Sequence, residues 1–357
     1  MKRVAVLFGG VSSEHEVSLI SASSVINNIP SDRYQVYPVG ITKDGRWLSF
    51  GGDLEKIQNG SWSEDPCCMP ALFTPDRSKK AFYRLEEGAW QPVEIDAVFP
   101  VLHGRNGEDG SVQGLCQLSG IPCVGCGVTA SAACMDKALT NALLDHAGIR
   151  QAKWLAFLKP EYEREREAAL SACEEALGYP CFVKPANAGS SVGITKAHDR
   201  EELRKAFALA FRHDRKLVVE ENIDGREIEV AVLGNHEPQA SLPGEIVAGN
   251  DFYDYDAKYI SGTSILHIPA DVSGEKQREI RETAVRVYET MGCEGLSRVD
   301  FFLRRSDGAV LLNELNTIPG FTSISMYPKL FAASGIPYPE LLDRLITLAI
   351  EEERTDG

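Results

Sequence analysis

Arg298-Val299-Asp300-Phe301-Phe302-Leu303, then Ser306-Asp307-Gly308, then Val310-Leu311-Leu312-Asn313-Glu314-Leu315-Asn316, and finally Pro319-Gly320, is the stretch from which the rest of this chain is best understood. Two apolar, strand-length runs flank a segment with turn chemistry, which predicts a β-hairpin. Side chains alternate across a strand, so Arg298 and Asp300 share one face, as do Glu314 and Asn316 on the partner strand. Two carboxylates about 4 Å apart repel by roughly 4 kcal/mol at an effective dielectric of about 20, so the arrangement calls for a cation between them. Oxygen donors with no His or Cys favour Mg²⁺ or Mn²⁺ over zinc. A solvated hairpin face with a cross-strand Arg/Glu pair is the plain alternative for a lone R-x-D. Glu314 and Asn316 sit inside apolar runs, however, and ionisable residues placed there usually have a partner or a task.

Working outward, 357 residues suggest two or three domains. The composition, 43% hydrophobic and 25% charged, is that of a soluble globular protein. A formal net charge of −15 argues against a general nucleic-acid or anionic-membrane surface, which needs basic residues to replace counterions. A local Lys/Arg pocket for phosphate remains compatible with that charge. The chain starts Met1-Lys2-Arg3-Val4-Ala5-Val6-Leu7-Phe8-Gly9-Gly10, with no signal-peptide pattern, and no window reaches the length of a membrane span. Nine cysteines, an odd number scattered through apolar segments, fit reduced thiols in a cytoplasmic setting. Cys123-Val124-Gly125-Cys126 has no second pair at zinc-site spacing and reads as structural.

Residues 1–125 alternate strand-like and helix-like runs: Val4–Phe8, a helix over 14–28, Tyr34–Ile41, Ala97–Leu102 and a helix near Ser111–Leu118. This predicts an open α/β domain with a parallel sheet, ligands lying at its carboxyl edge and residues 51–90 forming a surface insert. A second unit, 126–222, starts with one helix over about 130–146. It continues with a strand at Cys181–Pro185, a glycine-rich loop, a charged helix over about 199–213 and a strand over 216–222. A third, 223–357, holds strands at Ile228–Leu233 and Glu245–Val247, a helix over about 274–291, the hairpin and a final helix over 339–352.

Three loops carry chemistry. Lys184-Pro185-Ala186-Asn187-Ala188-Gly189-Ser190-Ser191-Val192-Gly193 puts a Lys at a strand end before small residues whose backbone N–H groups can turn toward an anion. A simple hairpin turn also satisfies those glycines. The loop is not a Walker A, since the Lys precedes the glycines, and Ser190 lacks the G-x-S-x-G elbow of a serine hydrolase. His103-Gly104-Arg105-Asn106-Gly107-Glu108-Asp109-Gly110 follows an apolar strand and leads into a helix whose free N–H groups can face a substrate. Ser13-Glu14-His15-Glu16 lies between Gly9-Gly10 and the first helix, where Ser13 and Glu16 have capping-box spacing.

Together these residues resemble the D-alanine:D-alanine ligases of the ATP-grasp superfamily, over nearly the whole chain. His103-Gly104-x-x-Gly107-Glu108-Asp109-Gly110 looks like the family's first signature. Arg298-x-Asp300 with Glu314-x-Asn316-Thr317-x-Pro319-Gly320 looks like its second; the loop 184–193 and Tyr253-Asp254-Tyr255-Asp256-Ala257-Lys258-Tyr259 match two further elements. The resemblance implies an N-terminal α/β domain followed by the two lobes of an ATP-grasp fold. ATP would be held by Lys137, Lys184, Glu220 and Glu227 with Ile223 near the adenine, and two Mg²⁺ ions, with Mn²⁺ possible, by Asp300, Glu314 and Asn316. The implied reaction activates one D-alanine as an acyl phosphate and couples it to a second, making the peptidoglycan dipeptide in a bacterial cytoplasm. Glu16 would meet the first ammonium and form a network with Ser190 and Tyr259. Arg298 and the Gly320 N–H would stabilise the oxyanion, and His103 would sit near the first substrate. Lys258 and Ser325 would hold the second carboxylate. Tyr259 and Met326 favour D-alanine as acceptor, whereas Ser261–His267 resembles D-serine relatives. The alternatives are a D-alanine:D-serine or D-alanine:D-lactate ligase, or a non-catalytic ATP-binding protein. The family implies a homodimer.

Overall fold

The computed structural model describes residues 1–189, 192–247, 265–322 and 324–352. Its first sheet has seven strands, ordered Ala89–Glu94, Ala81–Glu86, Met69–Phe73, Trp47–Ser49, Tyr34–Ile41, Lys2–Gly9, Ala97–Val101. Val4 to Phe8 are fully buried, as a central strand covered on both faces requires. The expected parallel sheet exists only at this end: Lys2–Gly9 runs parallel to both Tyr34–Ile41 and Ala97–Val101, and the other four strands add antiparallel. Residues 51–90 are therefore not merely a surface insert. They extend the sheet and bury Trp62, whose ring meets Phe8 edge-on at 4.8 Å between centroids. A Cβ at Gly40 would overlap that indole. Gly40→Ala is expected to cost about 1–3 kcal/mol by overpacking, read as a lower urea midpoint; an unchanged midpoint would mean the indole moves aside freely.

The second sheet has four strands in the order Thr195–Ala197, Cys181–Pro185, Lys216–Glu221, Trp154–Leu158, all antiparallel. Helix Arg200–His213 covers it, with Asp199 accepting from the Glu202 N–H as its N-cap and Arg212 and His213 in its last turn. The expected single helix over 130–146 is two, Val128–Met135 and Lys137–His146. Asp136 is extended (φ −89°, ψ 100°) and caps the second helix through the Leu139 N–H, which interrupts the first and leaves Lys137 at a helix start. The third sheet has six strands. Its main path is Ile265–His267, Gly244–Val247, Gly225–Leu233, Leu296–Arg304, Val310–Asn316, with Gln239–Ala240 beside Gly225–Leu233.

The buried clusters do not follow chain order. Leu144 and Ile149, after the first sheet, pack with Ile228, Val230, Phe301 and Tyr288 of the third region. Phe321, Tyr327, Leu341 and Leu345, near the chain end, pack with Val6, Phe8 and Phe99 of the first sheet. That return, sealed by Phe321 edge-on to Phe99 at 5.9 Å, brings the Pro319-Gly320 turn to the N-terminal domain.

Candidate active site

The predicted hairpin forms, with Arg298 opposite Asn316 and Asp300 opposite Glu314. A bulge between Asp300 and Phe301 shifts the register and ends this polar portion of the pair. Strand Gly225–Leu233 lies on the other side of Leu296–Arg304, with Glu229 opposite Asp300 and Glu227 opposite Phe302. Opposed residues share a face, so Glu227, Glu229, Arg298, Asp300, Glu314 and Asn316 form one polar strip across three strands. Arg298 makes a fork to Asp300, Nε–Oδ1 2.7 Å and Nη2–Oδ2 2.6 Å, and also reaches Glu229 at 3.0 Å. Asn316 Nδ2 donates to Asp300 Oδ2 at 3.0 Å. Glu229 is a site residue not foreseen from the sequence; the signal was Glu227-Ile228-Glu229, two carboxylates alternating within an apolar strand.

Across a cleft from the strip stands the second sheet. Lys184 donates to Glu220 at 2.6 Å, both largely buried on adjacent strands. Lys137 Nζ donates to the Ala188 carbonyl at 2.9 Å, which ties the helix start to the glycine loop. Burial lowers the Lys137 ammonium despite the attraction of Glu314 and Glu220. The same cleft is lined by His103, Arg298, Glu314, Asn316 and Gly320, so eight of the expected positions converge. Asp300 stands behind them, clamped by Arg298.

The N-terminal domain closes the cleft with Glu14, His103 and Glu108. Burial, reinforced by Glu14 and opposed by backbone N–H groups, pushes the Glu108 carboxyl up to about 8. Burial also holds the His103 imidazole below its usual range. The structure does not bring Glu16 here. Its side chain is 57% exposed and paired with Lys43, whose ammonium holds the carboxyl below the usual range. Glu14, 5% exposed, takes the inward position instead. Its carboxylate is wedged where a Cβ at Gly104 would overlap it and one at Gly189 would lie 2.6 Å away. The capping box does not form either: helix His15–Asn28 has Glu14 at its N-cap without a side-chain cap bond. One helical turn is 3.6 residues, so two carboxylates two positions apart point to different sides, and spacing alone does not say which is inward.

Ser325 lies beside Gly320, where a Gly320 Cβ would sit 2.7 Å from its hydroxyl, and it bonds Thr322 at 2.8 and 3.0 Å rather than capping its helix. Met326 is buried against Gly244 and Leu330, in the core and not in the cleft wall. Ile223 and Glu227 are half-buried at the lead-in to and start of strand Gly225–Leu233. Ser190, Lys258 and Tyr259, with the expected Tyr253–Tyr259 element, lie outside the described residues.

The donor set fits a hard divalent cation. The strip sets the carboxylates of Glu227, Glu229, Asp300 and Glu314 on one face, hard oxygen donors of the kind a divalent cation takes. Among the described residues no three His, Cys, Asp or Glu side chains cluster to hold a metal by themselves. Mg²⁺ characteristically takes one or two carboxylates and fills its shell with phosphate oxygens and water. With a cation between the carboxylates, the Asn316 amide would turn over and offer Oδ1 to it in place of the bond its Nδ2 donates to Asp300.

The chain is matched over residues 3–126 by the family described as D-ala D-ala ligase N-terminus and over 143–347 by D-ala D-ala ligase C-terminus. It is 51% identical to a D-alanine–D-alanine ligase of Acetivibrio thermocellus, covering 98% of this chain and 96% of that protein. To one of Clostridium acetobutylicum it is 49% identical, covering 98% of each. Among solved structures, the VanG D-Ala:D-Ser ligase of Enterococcus faecalis superposes with a TM-score of 0.89 at 44% identity, covering 98% of this chain and 99% of that one. The D-alanine-D-alanine ligase of Coxiella burnetii gives 0.87 at 36%, covering 100% and 97%. With both halves matched and the cleft lying between two sheets of an ATP-grasp fold, this chain belongs to the D-ala D-ala ligase family.

Proposed function

We infer that this protein is an ATP-dependent D-alanine:D-alanine ligase that makes D-alanyl-D-alanine for peptidoglycan. The observation that carries the reading is the cleft itself: two lysines on one wall, an acidic strip with one clamped arginine on the other, and a lid of N-terminal residues. Lys137 and Lys184 suit the phosphates of ATP, with Glu220 holding Lys184 in place, and Glu227 and Ile223 stand toward the nucleotide's other end. Asp300, Glu314 and Asn316 are the residues to hold Mg²⁺, as two ions, with Mn²⁺ as a substitute. The metal, when bound, offsets the charge of the transferring phosphoryl group.

The carboxylate oxygen of the first D-alanine takes the γ-phosphoryl group and ADP leaves; the amine of the second adds to the acyl carbon, loses a proton, and expels phosphate. Arg298 and the Gly320 N–H stabilise the tetrahedral oxyanion between those events. Glu14, rather than Glu16, receives the first ammonium and faces the glycine loop, and Ser190 and Tyr259 are the residues that would complete its network. Ser325 with Lys258 receives the second carboxylate. Glu14→Gln is expected to raise the KM for the first D-alanine by about 30-fold or more, since a charge-assisted bond contributes roughly 2 kcal/mol, while Glu16→Gln changes it less than about twofold. The reverse ranking would return the role to Glu16.

Residues 1–125, 126–222 and 223–357 act as substrate domain, nucleotide lobe and metal lobe, a division supported by one sheet falling in each. A homodimer in the cytoplasm completes the reading; no helix among the described residues is long and apolar enough to cross a membrane. The similarity to a D-Ala:D-Ser ligase at 44% identity supports a second reading in which D-serine is the acceptor. Phosphate release with ATP and Mg²⁺, on D-alanine alone and with added D-serine or D-lactate, decides between them when products are weighed. D-alanyl-D-alanine as the dominant product supports the first reading, a mixed product the second, and no product overturns both.

A further inference from the structure

The turn that carries Pro319 and Gly320 is gripped on both sides by N-terminal side chains. His103 Nδ1 lies 3.2 Å from the Ile318 carbonyl oxygen, and a carbonyl only accepts, so Nδ1 carries the proton. In the neutral ring Nε2 is then an acceptor, and the Ser21 hydroxyl, 3.3 Å away, donates to it. The Phe321 N–H donates in turn to the Ser21 oxygen over a longer 3.5 Å. Glu108, beside them in the N-terminal domain, accepts from the Gly104 N–H at 2.6 Å. Ile318 and Phe321 flank Pro319-Gly320, so both shoulders of the turn are bonded to one domain while its strand belongs to another. Ser21 is fully buried on helix His15–Asn28 and does not itself line the cleft.

We propose that Ser21 is a positioning residue for the ligation step: through His103 and the Phe321 amide it aims the Gly320 N–H at the point where the tetrahedral oxyanion forms. This rests on the ligase reading of Gly320. It also assigns His103 a task of its own, since both ring nitrogens are engaged by protein atoms and the imidazole acts on the turn rather than lending a nitrogen to substrate. The aromatic packing of Phe321 against Phe99, Tyr327 and Tyr338 sets where the turn lies. The hydroxyl relay sets how its N–H groups point, and a donor misaimed by about 1 Å loses up to about 100-fold in rate.

The test uses the full chain and starts with phosphate release by the unsubstituted protein on D-alanine; an inactive protein there overturns the ligase reading, independently of Ser21. In the active protein, Ser21→Ala is expected to lower kcat by about 10- to 100-fold while the KM for ATP moves less than about twofold. A phosphinate mimic of the tetrahedral intermediate should lose affinity by a similar factor, and hydrogen exchange in the peptide covering 317–322 should quicken with the rest of the protein unchanged. A kcat within about twofold of the unsubstituted protein overturns the proposal. So does an equal loss of affinity for ATP and for the phosphinate, which marks a general loss of structure rather than a misaimed donor.

Discussion

Glu314→Gln is expected to lower ligase turnover by about 10³-fold, or about 4 kcal/mol of barrier, while leaving the protein folded. The substitution keeps the side chain's volume and one oxygen, so the register of Val310–Asn316 against Leu296–Arg304 has no steric reason to change. What disappears is one negative charge of the strip. That charge is attracted by Lys137 and Arg298 as well as repelled by Asp300 across the strands, so the unfolding free energy should stay within about 1 kcal/mol of the parent. A large loss of turnover beside a nearly unchanged stability is the signature of a residue kept for its ligand rather than for the fold. The measurement is kcat across a Mg²⁺ titration beside a denaturant curve; full turnover at saturating Mg²⁺ would sink the metal assignment.

Arg298→Met is expected to damage both quantities. The guanidinium is largely buried and is the shared partner of Asp300, by two bonds of 2.7 and 2.6 Å, and of Glu229 at 3.0 Å. Burial works against its charge, but the carboxylates of Asp300 and Glu229 hold it well above the usual range. Methionine fills much of the volume and leaves both acids without their cation, a loss of about 3–5 kcal/mol for a buried pair broken on one side. Turnover should fall by a further about 10²- to 10³-fold as a donor to the oxyanion is lost. Arg298→Lys should recover only part of either, because a single ammonium cannot make the fork and reach Glu229 together. An Arg298→Met protein with an unchanged urea midpoint would show that other groups neutralise the strip.

Much of this was legible in the chain itself. The hairpin, its turn and its facing pairs followed from two apolar runs around Ser306-Asp307-Gly308, and Lys184 from its place at a strand end, whereas Glu220 came only from the family resemblance. The break at Asp136 had the look of an N-cap, but helical periodicity on both sides hid it. Strand Trp154–Leu158 was short and followed by the charged segment 161–167, so its alternation carried little signal. Residues 51–90 read as an insert because glycine, proline, serine and aspartate recur in them, and only the pairing of Met69–Phe73 with Trp47–Ser49 shows that they continue the sheet.

By itself, the sequence determined the family, through motifs that resemble its two signatures; it also determined the elements that carry those motifs and which residue types stand at the carboxyl ends of which strands, because periodicity and turn chemistry are local properties of the chain. The tertiary structure alone decided that Glu14 and not Glu16 faces the cleft, that Glu229 joins Arg298, that Met326 lies in the core, and that Ser21 and His103 grip the Gly320 turn. Each of these depends on how a helix is rotated or on where distant segments meet. Ser21 and Phe321, 300 positions apart, are brought together by the burial of Phe321 in the N-terminal core, a long-range packing event that no local pattern encodes.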